Sequence, residues 1–259
     1  MTTAPPPPPA AATAAAVDPS QPAVSRRTLW LCVLPAMFVP GVGALCYFVF
    51  FAGTPLGKVI FVATKIFTFS WPLVAAVVIE RHRFQPRSWF ARRSLGSLPL
   101  GLVTGLAIGG AILGLFFWSP LGAFVWDFAP AVKAQTEAVG LYSWFIPFAL
   151  LWSIGHSLLE EFYWRWYVFG RLDQLVPAPW AHGLAGLCFG FHHYVILTKY
   201  FPAWAVAVFG TGVAIGGVIW SLQYKRDGSL LGPWLSHIFA DLAAILWIGW
   251  LLIFSTPPA

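Results

Sequence analysis

Seven long apolar runs, separated by short polar gaps, dominate the pattern of this sequence. Each run is about 20 residues or more, which is enough for one helix to cross a bilayer. A less apolar stretch, residues 120–141, carries Asp127, Lys133 and Glu137 and is an interfacial helix, a re-entrant segment or an eighth span. The pattern predicts an all-α, polytopic bundle of seven to eight transmembrane helices. The runs are Leu29–Gly53, Val59–Ile79, Leu98–Trp118, Phe145–Phe169, Pro179–Leu197, Trp204–Leu222 and Leu230–Phe254.

Residues 1–28 precede these runs and have a different composition. They are rich in Ala, Pro and Thr, include five consecutive prolines at Pro5–Pro9, and contain no aromatic side chain. Such a segment buries too little apolar surface to offset the entropy lost on ordering it. We therefore expect a disordered tail at 1–28 and a transmembrane bundle at 29–258.

Composition and charge support a membrane protein and exclude other classes. Hydrophobic residues occupy 59% of the 259 positions and charged residues only 9%, with a mean hydropathy of +0.75, whereas about a quarter of a soluble chain is charged. The formal net charge is +6, but the cations occupy short gaps instead of forming a basic surface with stacking residues between them. We expect the lipid bilayer, and no nucleic acid, as a partner.

The distribution of Lys and Arg predicts the orientation in the membrane. Alternate gaps contain ten of these residues, and the other gaps contain only Lys58, Lys133 and Lys199. Because cytoplasmic loops carry the excess of Lys and Arg, we expect a cytoplasmic N-terminus in a multi-pass protein of the plasma or inner membrane. The ten are Arg26, Arg27, Arg81, Arg83, Arg87, Arg92, Arg93, Arg171, Lys225 and Arg226.

Ionisable side chains inside the apolar runs are informative, because each is costly unless it is paired, hydrated or turned towards the bundle interior. For Lys65, alone in the second run, we expect a structural or snorkelling role. Glu80, beside cationic neighbours, is expected to be a solvated charge at a span end. The later runs contain His156, Glu160, Glu161 and Arg165, then His182, His192 and His193, and finally His237 and Asp241.

The fourth run places two adjacent carboxylates in one predicted helix. Glu160 and Glu161 point about 100° apart on an α-helix, so they are not expected to share a partner. Glu161 and Arg165, four residues apart, are in the favourable order for an intrahelical ion pair. His156, four residues before Glu160, lies on the same face. The pair leaves Glu160 as the free carboxylate, able to accept a proton from water.

Four ionisable groups from three runs are predicted to lie in one layer. Counted at 1.5 Å per residue from the ends of their runs, they lie about 16 Å deep for Glu160, 21 Å for His193, 14 Å for His237 and 20 Å for Asp241. A structural polar network more commonly uses Ser, Thr or Asn, so this layer indicates a functional site.

The other three histidines are expected to have packing or supporting roles. His156 and His182 fit such roles as single polar residues in apolar helices. His192 adjoins His193, and neighbouring residues on a helix point in different directions. We therefore expect His192 to point away from the site.

Residues 160–165 read EExxxR, residues 189–193 read FxxxH and residues 237–241 read HxxxD. These three motifs resemble those of the CPBP intramembrane protease family, which includes type II CaaX prenyl endopeptidases and Abi-like bacteriocin-processing or self-immunity proteins. Each motif alone is weak, but their order on successive membrane helices is more specific. The resemblance covers a protease-like core at about 145–254.

The resemblance implies an intramembrane endopeptidase that acts on a peptide or a membrane-associated protein. Glu160 and His193 would activate the attacking water, and His237 and Asp241 would stabilise the oxyanion. Glu161 and Arg165 would support the motif helix. The family more often has Asn at the last position, and an ionised Asp only accepts hydrogen bonds. Asp241 is therefore either protonated or serves to orient His237.

Two alternatives remain open from the sequence. Zinc could bind Glu160, His193 and His237 with a water as fourth ligand, but the HExxH arrangement is absent, so we expect no metal or other cofactor. The chain could also be a catalytically silent membrane scaffold or a bacteriocin self-immunity factor. A transporter is less consistent with the sequence, because no internal repeat is visible.

Overall fold

The computed structural model describes residues 24–81 and 92–256. Within these ranges all regular structure is helical, which confirms the predicted class, and every predicted apolar run coincides with a helix. The predicted tail lies outside the described residues up to residue 23, and the first helix begins at Arg26. The helices are α1 Arg26–Phe50, α2 Pro55–Ile79, α3 Leu98–Trp118, α4 Pro120–Trp126, α5 Ala129–Ala138, α6 (residues 145–175), α7 Ala178–Leu197, α8 Ala203–Asp227 and α9 Leu231–Phe254.

Five of the described helices, α1, α2, α3, α8 and α9, are long and apolar enough to cross a membrane. A sixth candidate joins α5 to Tyr142–Leu175 through a bend of 96°. The predicted count of seven to eight spans is therefore not confirmed. Helix α7 has 20 residues, but its three histidines lower its hydropathy. Helices α4 and α5 have 7 and 10 residues, about 10 and 15 Å at 1.5 Å per residue, so neither is an eighth span by itself.

Cations at the start of α1 and at the end of α8 both contact the end of α6. Arg26, in the first turn of α1, donates a hydrogen bond through Nη2 to the carbonyl of Leu175 at the end of α6, over 2.6 Å. Lys225, in the last turn of α8, donates to the Asp173 carboxylate in α6. The start of α1 and the ends of α6 and α8 are thus adjacent, as the alternation of cations predicts.

Glu80 is buried, so the prediction of a solvated charge is wrong. Its carboxylate accepts hydrogen bonds from Arg171 Nη2 (2.7 Å) and Nε (3.0 Å) and from the Tyr167 hydroxyl (3.1 Å). Arg171, which was counted as a loop cation, is buried with it. The cause is tertiary, because the partner of Glu80 lies 91 residues further along the chain. This pair joins the end of α2 to α6.

Close packing between α3 and α9 positions one half of the candidate site. Glycines spaced four residues apart form a buried stripe on α3. A Cβ atom at Gly105 would lie 2.9 Å from the Phe239 ring and 3.0 Å from the Cα atom of Ser236. Small residues at helix interfaces let two backbones approach closely, and this contact holds the part of α9 that contains His237. The stripe consists of Gly101, Gly105 and Gly109.

Candidate active site

The two adjacent carboxylates lie in the middle of α6, which is not a uniform α-helix. It is α-helical at Ser157–Glu161, between the π-helical segments Trp152–His156 and Phe162–Phe169. The i→i+5 winding of a π-helix changes side-chain directions, and π-helical turns are frequent at functional sites. A constant rotation of about 100° per residue therefore does not describe α6.

Glu160 is the central carboxylate of the site, in contact with imidazoles from α6, α7 and α9. Its Oε1 lies 3.3 Å from Nε2 of His192. Its Oε2 lies 3.7 Å from Nδ1 of His156 and 3.6 Å from Nε2 of His237. The predicted proximity of His156 is thus confirmed. The Glu160 side chain is 11% exposed, so it is not sealed from its surroundings.

His237 contacts both adjacent carboxylates. Its Nδ1 donates a hydrogen bond of 2.7 Å to Oε1 of Glu161, because an ionised carboxylate can only accept. Its Nε2 lies 3.6 Å from Glu160. The prediction that Glu160 and Glu161 do not share a partner is therefore wrong: one imidazole has two nitrogens on different edges, and each faces one carboxylate.

The predicted ion pair between Glu161 and Arg165 is confirmed, and it is buried. Oε2 of Glu161 lies 3.1 Å from Nε of Arg165, and the side chains are 0% and 1% exposed. Among the described residues, no guanidinium nitrogen of Arg165 has an aligned hydrogen-bond partner. The guanidinium carbon instead lies over two aromatic rings, 4.6 Å from the centroid of Phe189 and 4.9 Å from that of Trp220. Trp220 also stacks on His237 at 4.0 Å, so Arg165 connects α6 with α7 and α8.

Both adjacent histidines of α7 belong to the site. His193 Nδ1 donates to the carbonyl oxygen of Phe189 over 3.1 Å, which leaves its Nε2 available. His192 reaches Glu160 and lies parallel to the Trp164 ring, with centroids 5.8 Å apart. The prediction that His192 points away is wrong. The two imidazole centroids are only 4.0 Å apart, because rotation about the side-chain bonds lets neighbouring rings converge although their Cβ atoms diverge.

The remaining two histidines differ in their relation to the site. His182 hydrogen-bonds the Ser221 hydroxyl at 2.7 Å and stacks on Phe169. It precedes His192 by ten residues of α7, about 15 Å, and is a packing residue, as predicted. His156 stacks on Trp152 at 4.0 Å and borders the site through Glu160.

Asp241 lies beside His237 without a hydrogen bond to it. Its Oδ1 is 3.7 Å from His237 Nε2, beyond hydrogen-bond range. The side chain is 17% exposed, and α9 becomes π-helical directly after it, at Leu242–Ile248. Asp241 is thus a further carboxylate that faces the same nitrogen as Glu160.

Three of these side chains form a plausible ligand set for a metal ion. One ligand atom each from Glu160, His192 and His193 lie within 4.8 Å of one another. Tetrahedral zinc with bonds of about 2.0–2.1 Å places its ligands about 3.3 Å apart, which the 3.3 Å between Glu160 and His192 matches. The set differs from the predicted one, because His192 takes the place of His237.

Comparison with known families identifies the same part of the chain. Residues 142–243 match the model of a family described as Type II CAAX prenyl endopeptidase Rce1-like. The matched range contains all three motifs and the ionisable site residues described above. No curated protein and no solved structure matches the chain. The family match confirms the resemblance that the motifs indicated.

Proposed function

We propose that this chain, a member of the CPBP/CAAX intramembrane protease family through residues 142–243, hydrolyses a peptide bond with a water molecule activated by Glu160 and its neighbouring histidines. The family assigns a peptide substrate and a membrane location. The observation that carries the mechanism is the set of imidazoles from three helices around one carboxylate. A carboxylate held by such groups is suited to general-base catalysis.

In the proposed reaction, water binds between Glu160 and the α7 histidines. Its oxygen attacks the carbonyl carbon while Glu160 accepts one of its protons, and the carbonyl electron pair moves to the oxygen. That proton then passes to the amide nitrogen as the C–N bond breaks, which yields a carboxylic acid and an amine and restores the Glu160 carboxylate. His193 orients the water through its free Nε2, and His192 positions the Glu160 carboxylate.

The oxyanion is proposed to accept a hydrogen bond from His237 in its doubly protonated form. The short bond from Nδ1 to Glu161 fixes the orientation of the ring, as carboxylates commonly do for functional histidines. Nε2 then faces the space between Glu160 and Asp241. Because an ionised Asp241 cannot donate, its proposed role is to orient His237 and support its positive charge.

Hydrolysis by water is tested with oxygen-18-labelled water. The purified protein in lipid nanodiscs is incubated with a farnesylated peptide that ends in Cys-Val-Ile-Met, a prenylation sequence of the CaaX type, and with the same peptide lacking the lipid. We expect a shortened peptide with one oxygen-18 atom in its new carboxyl terminus. Intact peptides, or products without the label, would contradict the proposal.

We propose that the reaction needs no metal, although the donor set fits one. If zinc were bound by Glu160, His192 and His193, it would supply a more acidic water. The histidine-flanked Glu160 offers a proton acceptor without it. We expect the purified protein to hold well under one equivalent of zinc and to keep its activity after chelation, as measured by elemental analysis and a cleavage assay. Stoichiometric zinc whose removal abolishes cleavage, with recovery on addition, would overturn this.

We also propose that the cation-rich end of the bundle faces the cytoplasm. Arg26, Lys225 and the ends of α6 and α8 meet there, and cytoplasmic ends of membrane proteins carry the excess of Lys and Arg. The N-terminus would then be cytoplasmic, as the sequence predicts.

A further inference from the structure

The imidazole of His237 is held by a hydrogen bond at only one of its two nitrogens. Nδ1 donates to Glu161 over 2.7 Å. Nε2 lies 3.6 Å from Glu160 and 3.7 Å from Asp241, and both distances exceed hydrogen-bond range. A single hydrogen bond leaves the ring free to tilt about that bond. The direction of Nε2 therefore depends on what contacts the face of the ring.

Trp220, in α8, provides the contact with that face. Its ring stacks on the His237 ring, with the centroids 4.0 Å apart and the two planes 18° from parallel. Phe189 meets the same imidazole at 88°, with the centroids 5.9 Å apart, so it touches the imidazole edge to face and does not stack. Trp220 and His237 are both buried, with 4% and 3% exposure. The position of the indole thus sets the plane of the imidazole.

Polar side chains from three helices fix the indole in turn. Nε1 of Trp220 donates a hydrogen bond to the Ser236 hydroxyl over 3.0 Å. Ser236 Oγ lies 3.2 Å from Oγ1 of Thr104 in α3, and Thr104 also accepts a hydrogen bond of 2.6 Å from Nε2 of Gln223. Gln223 follows Trp220 by three residues on α8, so the two side chains lie on the same face. These hydrogen bonds join α8, α9 and α3.

Packing alone does not account for this arrangement. A phenylalanine would supply an aromatic ring without a buried N–H group, which costs free energy unless it has an acceptor. The acceptor, Ser236, is the residue directly before His237, and Gly105 of α3 packs against its Cα atom. The indole is therefore anchored to the same turn of α9 that carries the imidazole, so the two rings keep their relative position.

We propose that Trp220 is a positioning residue that fixes the plane of the His237 imidazole, and that the Ser236 hydroxyl holds Trp220 in place. This inference rests on the proposed peptidase function, in which Nε2 of His237 donates to the oxyanion. A hydrogen bond weakens as its angle departs from linear, so a tilted imidazole stabilises the oxyanion less. The intact peptide does not make this bond. The contribution of Trp220 therefore belongs to kcat and not to KM.

The kinetic test uses variants assayed on the farnesylated peptide in nanodiscs. Ser236→Ala removes the acceptor and leaves the indole, and Trp220→Phe removes the donor and keeps an aromatic ring. Each should lower kcat about 2- to 10-fold, the range of one neutral hydrogen bond, with KM unchanged. The double variant should be no slower than the slower single variant, because both changes break the same bond. Trp220→Leu also removes the stacking and should lower kcat about 10- to 100-fold.

Trp71→Phe is the matched control. Nε1 of Trp71, in α2, donates a hydrogen bond of 2.8 Å to the carbonyl oxygen of Cys32 in α1, and neither helix contributes a site residue described above. The variant therefore loses the same kind of bond between two helices. The thermal unfolding midpoint should fall by a similar amount in Trp71→Phe and Trp220→Phe, whereas kcat should fall only in Trp220→Phe.

A direct measurement of the stacking separates this inference from the peptidase function. The protein is labelled with carbon-13 histidine, and the nuclear magnetic resonance signal of His237 is identified by its loss in His237→Gln. The ring current of a stacked indole shifts imidazole protons upfield, so the His237 signal should move downfield in Trp220→Leu and in Ser236→Ala. If the unaltered protein cleaves no peptide, the peptidase function fails, and these shifts alone test whether Trp220 and Ser236 fix the ring.

Several results would overturn the proposal. Unchanged kcat in both Ser236→Ala and Trp220→Phe would show that the indole needs no anchor. An equal loss of kcat in Trp71→Phe would assign the effect to general destabilisation. A raised KM at unchanged kcat would place Trp220 in contact with the peptide instead. A His237 signal that is the same in Trp220→Leu as in the unaltered protein would exclude the stacking itself.

Discussion

Glu160→Gln is expected to lower kcat by about 10²–10⁴-fold, the usual range for removing a general base, while the protein stays folded. The amide keeps the size and most contacts of the carboxylate, but it does not accept a proton from water. Its neighbours His156, His192 and His237 keep their packing against Trp152, Trp164 and Trp220. The loss should therefore appear in turnover and not in the thermal unfolding midpoint.

The matched control for this variant is Glu137→Gln, which removes the same charge from an exposed position of α5. It should leave cleavage unchanged. Both proteins are assayed on the same peptide in nanodiscs, with thermal unfolding measured in parallel. Near-normal turnover in Glu160→Gln would show that Glu160 is not the general base. Full biological activity of a non-cleaving variant would favour the scaffold or self-immunity alternative.

Arg165→Ala is expected to destabilise the folded protein by about 3–5 kcal/mol, the usual cost of removing one partner of a buried ion pair. The Glu161 carboxylate is 0% exposed and would keep only the hydrogen bond from His237 to offset its charge. The aromatic contacts of the guanidinium with Phe189 and Trp220 would be lost as well. We expect loss of folded protein in detergent before any purely kinetic defect.

Two further variants separate charge from packing at this position. In Arg226→Ala, the lost arginine is 68% exposed and paired only with its neighbour Asp227, so the effect should lie within about 0.5 kcal/mol. The double variant Glu161→Gln/Arg165→Met removes both charges, keeps an acceptor for His237, and should recover much of the lost stability. If Arg165→Ala keeps full thermal stability but loses activity, the guanidinium acts in the reaction and not in the fold.

The elements of the bundle follow from local sequence. An apolar run of about 20 residues can form all of its backbone hydrogen bonds within a bilayer only as a helix. Each predicted run therefore coincides with a helix. The ion pair between Glu161 and Arg165 was equally predictable, because both residues lie on the same helix at a spacing that fixes their separation. The number of spans was not predictable in the same way, because α7 has the length of a membrane span but contains three polar imidazoles.

The sequence also contained a signal for His192 that was misinterpreted. Two adjacent histidines in an apolar run are costly unless both have partners, and this argues against dismissing either of them. The prediction used the 100° rotation per residue of an ideal α-helix instead. That rotation does not give the side-chain directions here, because α6 contains π-helical segments and the imidazole rings rotate about their side-chain bonds. Sequence contained no such signal for Glu80, whose partner Arg171 belongs to a distant helix.

By itself, the sequence determined the class of fold, the residues that carry charge into the bundle and the order of the motifs, because these depend on composition and on spacing within single helices. Only the tertiary structure decided which charges meet. Contacts of Glu160 with His192 and His237 and of Glu80 with Arg171 all join different helices. In a bundle held by close packing of small residues, helix rotation and register set these distances, and no local pattern encodes them.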